Sequence, residues 1–147
     1  MYHYTESGLD YVYLESGYTK HDTPYGKGVS IQNTEDLHRM IGKWIVSLPR
    51  PLTGAELRFL RLELEMSQRI LADILNTEEQ TLRRWEKARD KPFNGSADRL
   101  LRALYNECEL GDGSVKRMVE RLAGLDVKES TGTLHFRETK CGWQPVA

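Results

Sequence analysis

The chain has 147 residues, 39% of them hydrophobic and 29% charged, with 21 Lys and Arg against 22 Asp and Glu for a formal net charge of −1. This is enough chain for one domain or two small ones with a buried core, and the composition is that of an ordinary soluble globular protein. No apolar run approaches the roughly 20 residues that cross a bilayer, and Met-Tyr-His-Tyr-Thr-Glu at the start has neither the basic residues nor the apolar stretch of a signal peptide. The expected location is therefore the cytoplasm, away from membranes. Cys108 and Cys141, far apart and outside any ligand-like spacing, read as thiols in that reducing compartment, with a disulfide as the alternative.

Residues 9–14, Leu-Asp-Tyr-Val-Tyr-Leu, are rich in aromatic and β-branched types and predict a strand. Glu15-Ser16-Gly17 then predicts a turn and Tyr18 to Thr23 a second strand. Pro24-Tyr25-Gly26-Lys27-Gly28 breaks the chain before a short strand, Val29-Ser30-Ile31. A helix starts at Asn33 or Thr34, with Glu35 and Asp36 favourably placed in its first turn. Its apolar face is Leu37, Met40, Ile41, Trp44, Ile45 and Leu48, and Pro49 and Pro51 end it. Tyr2, Tyr4, Tyr11, Tyr13, Tyr18 and Trp44 are the candidate aromatic core of this segment.

A second helix is expected over 53–65, where Thr53 and Glu56 form a capping-box pattern and Leu57, Phe59, Leu60 and Leu64 face inward. Residues 67–89 predict two short helices joined by a tight turn. Ser67 is a good N-cap, Ile70, Leu71, Ile74 and Leu75 recur at helical spacing, and Ala72 is small where the helices must approach. Asn76 tolerates a left-handed backbone, Thr77 can cap the second helix, and Leu82 and Trp85 form its inward stripe. A loop follows at 90–95. Ser96 is expected to cap a helix running to about Cys108, with Leu100, Leu101, Leu104 and Tyr105 inward, ended by Gly111-Asp112-Gly113. Ser114 would start a short helix with Val115, Met118, Val119 and Leu122 as its apolar positions, and residues 96–122 are the expected dimer interface. The tail from Thr133, with Leu134, Phe136 and Trp143, reads as a strand or an arm.

Small residue, turn residue and paired apolar anchors at these offsets describe a helix-turn-helix. Ser67-Gln68, Leu71-Ala72, Leu75-Asn76-Thr77, Leu82 and Arg84-Trp85-Glu86 resemble the Cro/repressor-type (XRE) helix-turn-helix, with Asn76 where that family usually has Gly. Further upstream, Gly8-Leu9-Asp10, Thr23-Pro24-Tyr25-Gly26, Val29-Ser30-Ile31 and Leu37-His38 fall in the order of the N-terminal half of MqsA (YgiT-type) antitoxins. The Cys-Pro-x-Cys-Gly turn of those proteins has lost its cysteines here. A structural zinc site needs about four converging N or S ligands, so no metal and no cofactor is expected. The resemblance implies an α+β chain, mainly α: a small antiparallel β segment plus helix over 1–50, a five-helix lambda-repressor-like helix-turn-helix domain over 51–110, and a C-terminal helix and tail over 111–147.

In a helix-turn-helix the second helix enters the major groove. Gln80 can pair with adenine through N6 and N7, and Arg84, one turn on, can grip guanine O6 and N7. The resemblance places the base readers at the same two positions. Glu79 can accept from cytosine N4, with Thr81 and Arg83 flanking this face, and Gln68 can approach a phosphate at the start of the first helix. Lys87, Arg89 and Lys91 are further phosphate candidates, although 67–91 carries only six basic residues against five acidic ones. The competing reading of these polar residues is a solvated helix face. Trp85 reads as core, and Glu86 as a support for the following loop.

An enzyme is not expected. His3, His21, His38 and His135 lack metal spacing, Gly26-Lys27-Gly28 and Gly111-Asp112-Gly113-Ser114 are turns without the context of a phosphate loop, and no nucleophile has a visible base. The expected function is a transcriptional regulator that binds double-stranded DNA as a homodimer on a palindromic operator. The resemblance implies the antitoxin of a type II pair, which binds a cognate toxin and represses their shared operon. A stand-alone regulator and a protein-interaction module without specific DNA binding are the alternatives.

Overall fold

Four short strands lead into five helices in the computed structural model, which describes residues 1–111, 117, 120 and 135–146. The architecture is mixed α+β, and no described helix is long and apolar enough to cross a membrane. Strand β1 (Tyr2–His3) pairs antiparallel with β2 (Tyr13–Leu14). Strand β3 (Tyr18–Thr23) pairs with β4 (Gly26–Ile31), from Tyr18 opposite Ile31 to Thr23 opposite Gly26. The strand expected over 9–14 is therefore reduced to its last two residues. A turn at Thr5–Ser7, closed by Gly8 at φ 82°, curls the chain and buries Leu9, and the Tyr4 N–H donates to the Val12 carbonyl (2.8 Å). Strand β4 begins earlier than expected because Pro24 and Tyr25 alone make the hairpin turn, with Gly26 at φ 121° resuming the pairing at once.

The aromatic core of this segment is smaller than its tyrosines suggest. Tyr4 is buried, and Tyr2 and Tyr18 lean on each other with ring centroids 5.4 Å apart. Tyr11, Tyr13 and Trp44 stay exposed, because the body beneath them is already filled by Leu9, Leu14, Ile41 and Ile45.

Helix α1 (Thr34–Val46) follows and stops short of Pro49. Helix α2 (Gly54–Glu63) carries the expected capping box: the Glu56 carboxylate accepts the Thr53 backbone N–H (2.9 Å). It ends with Glu65 at φ 56°, and the Met66 N–H donates back to the Arg61 carbonyl (3.2 Å), a Schellman closure. Helix α3 (Gln68–Ile74) is capped by Ser67, whose hydroxyl accepts the Ile70 N–H (3.1 Å). Ile70 itself faces solvent, unlike Leu71, Ile74 and Leu75, because it lies on the far side of the α3 stripe.

Helix α4 (Glu79–Lys87) takes Glu78 as its N-cap and not Thr77, whose N–H is committed to the Ala72 carbonyl (2.9 Å). Helix α5 (Gly95–Leu110) is capped by Asn94, whose side chain accepts the Ala97 N–H (3.0 Å); Ser96 is already inside the helix. Leu101, Leu104 and Tyr105 are fully buried, and Gly111 closes the helix. The expected helix carrying Val115, Met118, Val119 and Leu122, and Leu134 of the tail, lie outside the described residues. The tail forms a hairpin, β5 (Phe136–Thr139) against β6 (Gly142–Pro145), turning at Lys140 and Cys141.

One hydrophobic core runs from Tyr4, Leu9 and Leu14 through Ile41 and Ile45 to Leu57, Leu60, Leu71, Leu82, Leu101 and Tyr105. Three buried carboxylates among the described residues, Glu56, Glu86 and Asp98, join the segments around it. Glu56 takes both Nη groups of Arg50 (2.8 and 2.7 Å) and the Tyr11 hydroxyl (2.5 Å). Burial pushes its carboxyl up, but these donors and the Thr53 N–H outweigh burial and hold it below the usual carboxylate range. Asp98 accepts from the Leu52 N–H (2.9 Å) and Arg102 (2.6 Å), and Arg102 in turn donates to the carbonyls of Leu48 and Arg50 beyond the end of α1.

Helix α1 approaches α5 closely at Gly42, where an added Cβ would overlap the Tyr105 hydroxyl. That hydroxyl is buried with no hydrogen-bond partner among the described residues, and burial pushes its phenol up to about 12. Gly42→Ala should cost about 2 kcal/mol, the usual range for overpacking a core. Tyr105→Phe removes an unsatisfied group and should be neutral or stabilising. The Gly42→Ala loss should shrink in the Tyr105→Phe background, as measured by urea unfolding of the four proteins. Strictly additive effects would contradict this contact.

Candidate functional site

Helix α4 is fixed from behind at three levels. Leu82 is fully buried against the core residues of α3, and Trp85 packs on Phe93 of the following loop with ring centroids 5.5 Å apart. Between them and α2 lies a buried ion pair: Arg61 Nε and Nη2 donate to the two Glu86 carboxylate oxygens at 2.8 and 3.0 Å. The guanidinium also donates to the Met66 carbonyl (3.0 Å), so it braces both α4 and the loop between α2 and α3. Glu86 thus ties α4 to α2; it does not support the loop that follows α4. At the C-terminal end, Gly54 meets the backbone of α4 directly, and any Cβ there would run into the Trp85 and Ala88 carbonyl oxygens.

The turn before α4 is equally defined. Asn76 adopts φ 54°, its N–H donates to the Asp73 carbonyl (3.2 Å), and the Thr77 N–H reaches Ala72. These two bonds are the Schellman pair that ends a helix on a left-handed residue. Asn accepts that conformation at less cost than other residues with a Cβ. Ala72, almost wholly buried, leaves room for the approach of α3 and α4.

What α4 turns outward is a single stripe. Gln80, Arg83, Arg84 and Lys87 stand at i, i+3, i+4 and i+7 and line one shallow concavity. They offer an amide, two guanidinium forks and an ammonium within two helical turns. The side chains of Gln80, Arg84 and Lys87 make no hydrogen bond or ion pair among the described residues, although the Arg84 carbonyl accepts the Ala88 N–H (3.2 Å) at the end of α4. Arg83 is held from two sides: Nη2 donates to Glu79 (2.9 Å) and Nε to Gln68 Oε1 (3.3 Å). Gln68 in turn donates through Nε2 to Glu86 (3.3 Å), which links the outer face to the buried pair.

Of the residues singled out in the sequence, Gln68, Glu79, Gln80, Arg83, Arg84 and Lys87 are brought together on this face. Thr81 is half-buried and lies off the stripe. Arg89 is drawn away, its Nη2 donating to the Gly8 carbonyl (2.5 Å) of the N-terminal segment. Lys91 contributes backbone, accepting the Gly54 N–H (3.2 Å). Arg61 was not among the residues singled out in the sequence. Its signal was a charged residue four positions after a core leucine, Leu57, matched by Glu86 four positions after Leu82.

A second surface lies on the opposite part of the chain. Tyr11, Val12, Tyr13 and Leu14 with Leu37, Met40, Ile41 and Trp44 line an open apolar groove. Tyr13, Met40 and Trp44 are 54%, 56% and 50% exposed there. Beside it, His38 bridges the Tyr4 hydroxyl and the Glu63 carboxylate, both at 2.7 Å, and so joins the β segment to α1 and α2. Among the described residues, no three His, Cys, Asp or Glu side chains converge as metal ligands.

Compared with protein-family models, with curated proteins and with solved structures, the chain matches none.

The ion pair behind α4 yields a stability prediction. Glu86→Ala leaves Arg61 buried without its counter-charge and should cost about 3–5 kcal/mol in urea unfolding. Replacing both partners, Arg61→Met with Glu86→Leu, should recover most of that loss, since a well-packed apolar pair avoids the desolvation of two ions. A single-variant loss below about 1 kcal/mol, the range of an exposed pair, would show that the pair does not hold α4.

Proposed function

We propose that α3, the Asn76 turn and α4 form a helix-turn-helix, that α4 reads double-stranded DNA, and that the protein is a sequence-specific transcriptional regulator. The observation that carries this reading is the outward stripe of α4. A helix end that enters a major groove needs donors at one-turn spacing that are not committed elsewhere, and the side chains of Gln80, Arg84 and Lys87, unpaired among the described residues, meet that requirement. Gln80 and Arg84 take the base edges and Lys87 the phosphates. One such helix reads few base pairs, so a homodimer on a palindromic operator supplies the remaining specificity. The overall charge of −1 means that phosphate attraction comes from this stripe and its copy, not from the protein as a whole.

Within that class we favour an antitoxin that represses its own operon. Two features support it: the order of N-terminal segments shared with MqsA-type antitoxins, and the exposed apolar groove between β2 and α1, where a cognate toxin could dock. The same groove is what a protein-interaction module would use, so DNA binding is the discriminating property.

The test is a mobility-shift titration on the protein's own upstream DNA, with scrambled competitor, at two salt concentrations. Binding should resist competitor and weaken with salt, and Arg84→Ala should lose about ten-fold or more, equivalent to roughly 1–3 kcal/mol. Equal binding to scrambled DNA would overturn the DNA-reading role.

A further inference from the structure

The open residues of α4 leave one feature of its outer face without a role. Glu79 places a carboxylate in the first turn of α4, beside three cations, where it would repel a phosphate. It is paired with Arg83, and Arg83 is held in addition by Gln68, itself anchored on the buried Glu86. A surface ion pair of this i, i+4 kind contributes little to stability, so its presence on the face in question calls for another account.

We propose that Glu79 and Arg83 act as one unit that reads a single C·G base pair, an inference that rests on the DNA-reading role of α4. The chemistry is complementary in order. Across the major-groove edge a C·G pair offers the cytosine N4 donor, then the guanine O6 and N7 acceptors. An ionised carboxylate is an acceptor only, and it meets cytosine N4. Arginine carries five N–H donors. One is taken by Glu79 and one by Gln68, which leaves three and so enough for the two guanine acceptors. A guanine or thymine facing Glu79 would set acceptor against acceptor, and adenine would present its N7 acceptor beside the one donor. The carboxylate therefore discriminates by penalty as much as by attraction, which suits a protein without a large positive field. Gln68 is a positioning residue in this unit: it fixes the plane of the Arg83 fork without touching the base.

The test is selection of full-length protein against a randomised duplex DNA library, run for the native chain, Glu79→Gln and Arg83→Ala, with thermal melting to confirm that each folds. The native protein should enrich a motif with one invariant C·G pair. Both variants should lose preference at that same base pair by about ten-fold or more while keeping the rest of the motif. An unchanged motif in Glu79→Gln would overturn the unit and leave the DNA-reading role standing. So would an Arg83→Ala protein that keeps every base preference and instead binds all sequences more weakly, with a salt slope smaller by about one, which is the mark of a phosphate contact. A native chain that enriches no motif would overturn the DNA-reading role and this inference with it.

Discussion

The buried pairing of Arg61 with Glu86 is the contact on which the geometry of this protein turns. Two ions taken out of water lose hydration that their mutual attraction only partly returns, so such a pair is a weak source of net stability. Its effect is positional. The two ends of the fork can be satisfied only if α2 and α4 keep one relative rotation, and the third bond of Arg61, to the Met66 carbonyl, fixes the loop from which α3 departs. Gly54 works to the same end by letting the start of α2 rest on the α4 backbone. Rotation of α4 about its axis, the one motion that would scramble its outward stripe, is thereby blocked from the core side.

From Glu86 the order extends outward through Gln68 to Arg83 and Glu79, a continuous chain of polar contacts from the buried pair to the surface of α4. The N-terminal segment is attached by separate polar bridges: Tyr11 and Arg50 on buried Glu56, His38 between Tyr4 and Glu63, and Arg89 on the Gly8 carbonyl. The last of these reaches from the end of α4 to the turn ahead of β2, so the apolar groove and the outward stripe belong to segments in physical contact. Any partner that moves the 5–10 turn would act on a residue two positions beyond α4.

Helices were legible because each carries redundant local signals. Thr53 with Glu56, Ser67 before an apolar stripe, and Asn76 after one state where α2 and α3 begin and end, and the outward residues of α4 follow from Leu82 facing in. The misplaced caps lie within two residues of the expected ones: Asn94 in place of Ser96, and Glu78, with no side-chain cap bond of its own, once the Thr77 N–H had closed α3. The β segment was less legible. Strand pairing depends on partners distant in sequence, and the aromatic run at 9–14 looks like a strand whether it pairs over six residues or two. Exposure of Tyr13, Met40 and Trp44 was hidden for the same reason, since their types predict burial and only the packed body shows that the space beneath is already taken. The long-range partners of Glu86 and Glu56 were harder to find: Arg61 stands 25 residues from Glu86 and the Tyr11 hydroxyl 45 from Glu56, and a charged residue one turn after a core leucine does not say which partner it meets.

We propose that a rigidly mounted α4 presents its outward stripe to DNA. The most direct measurement is an amide NMR titration of the full-length protein with its own upstream duplex. Shifts should concentrate at Gln80, Arg83, Arg84 and Lys87 and at the start of α3, with the amides around the groove formed by Tyr13, Met40 and Trp44 unmoved. Shifts confined to that groove, or an α4 that does not respond, would contradict the proposal.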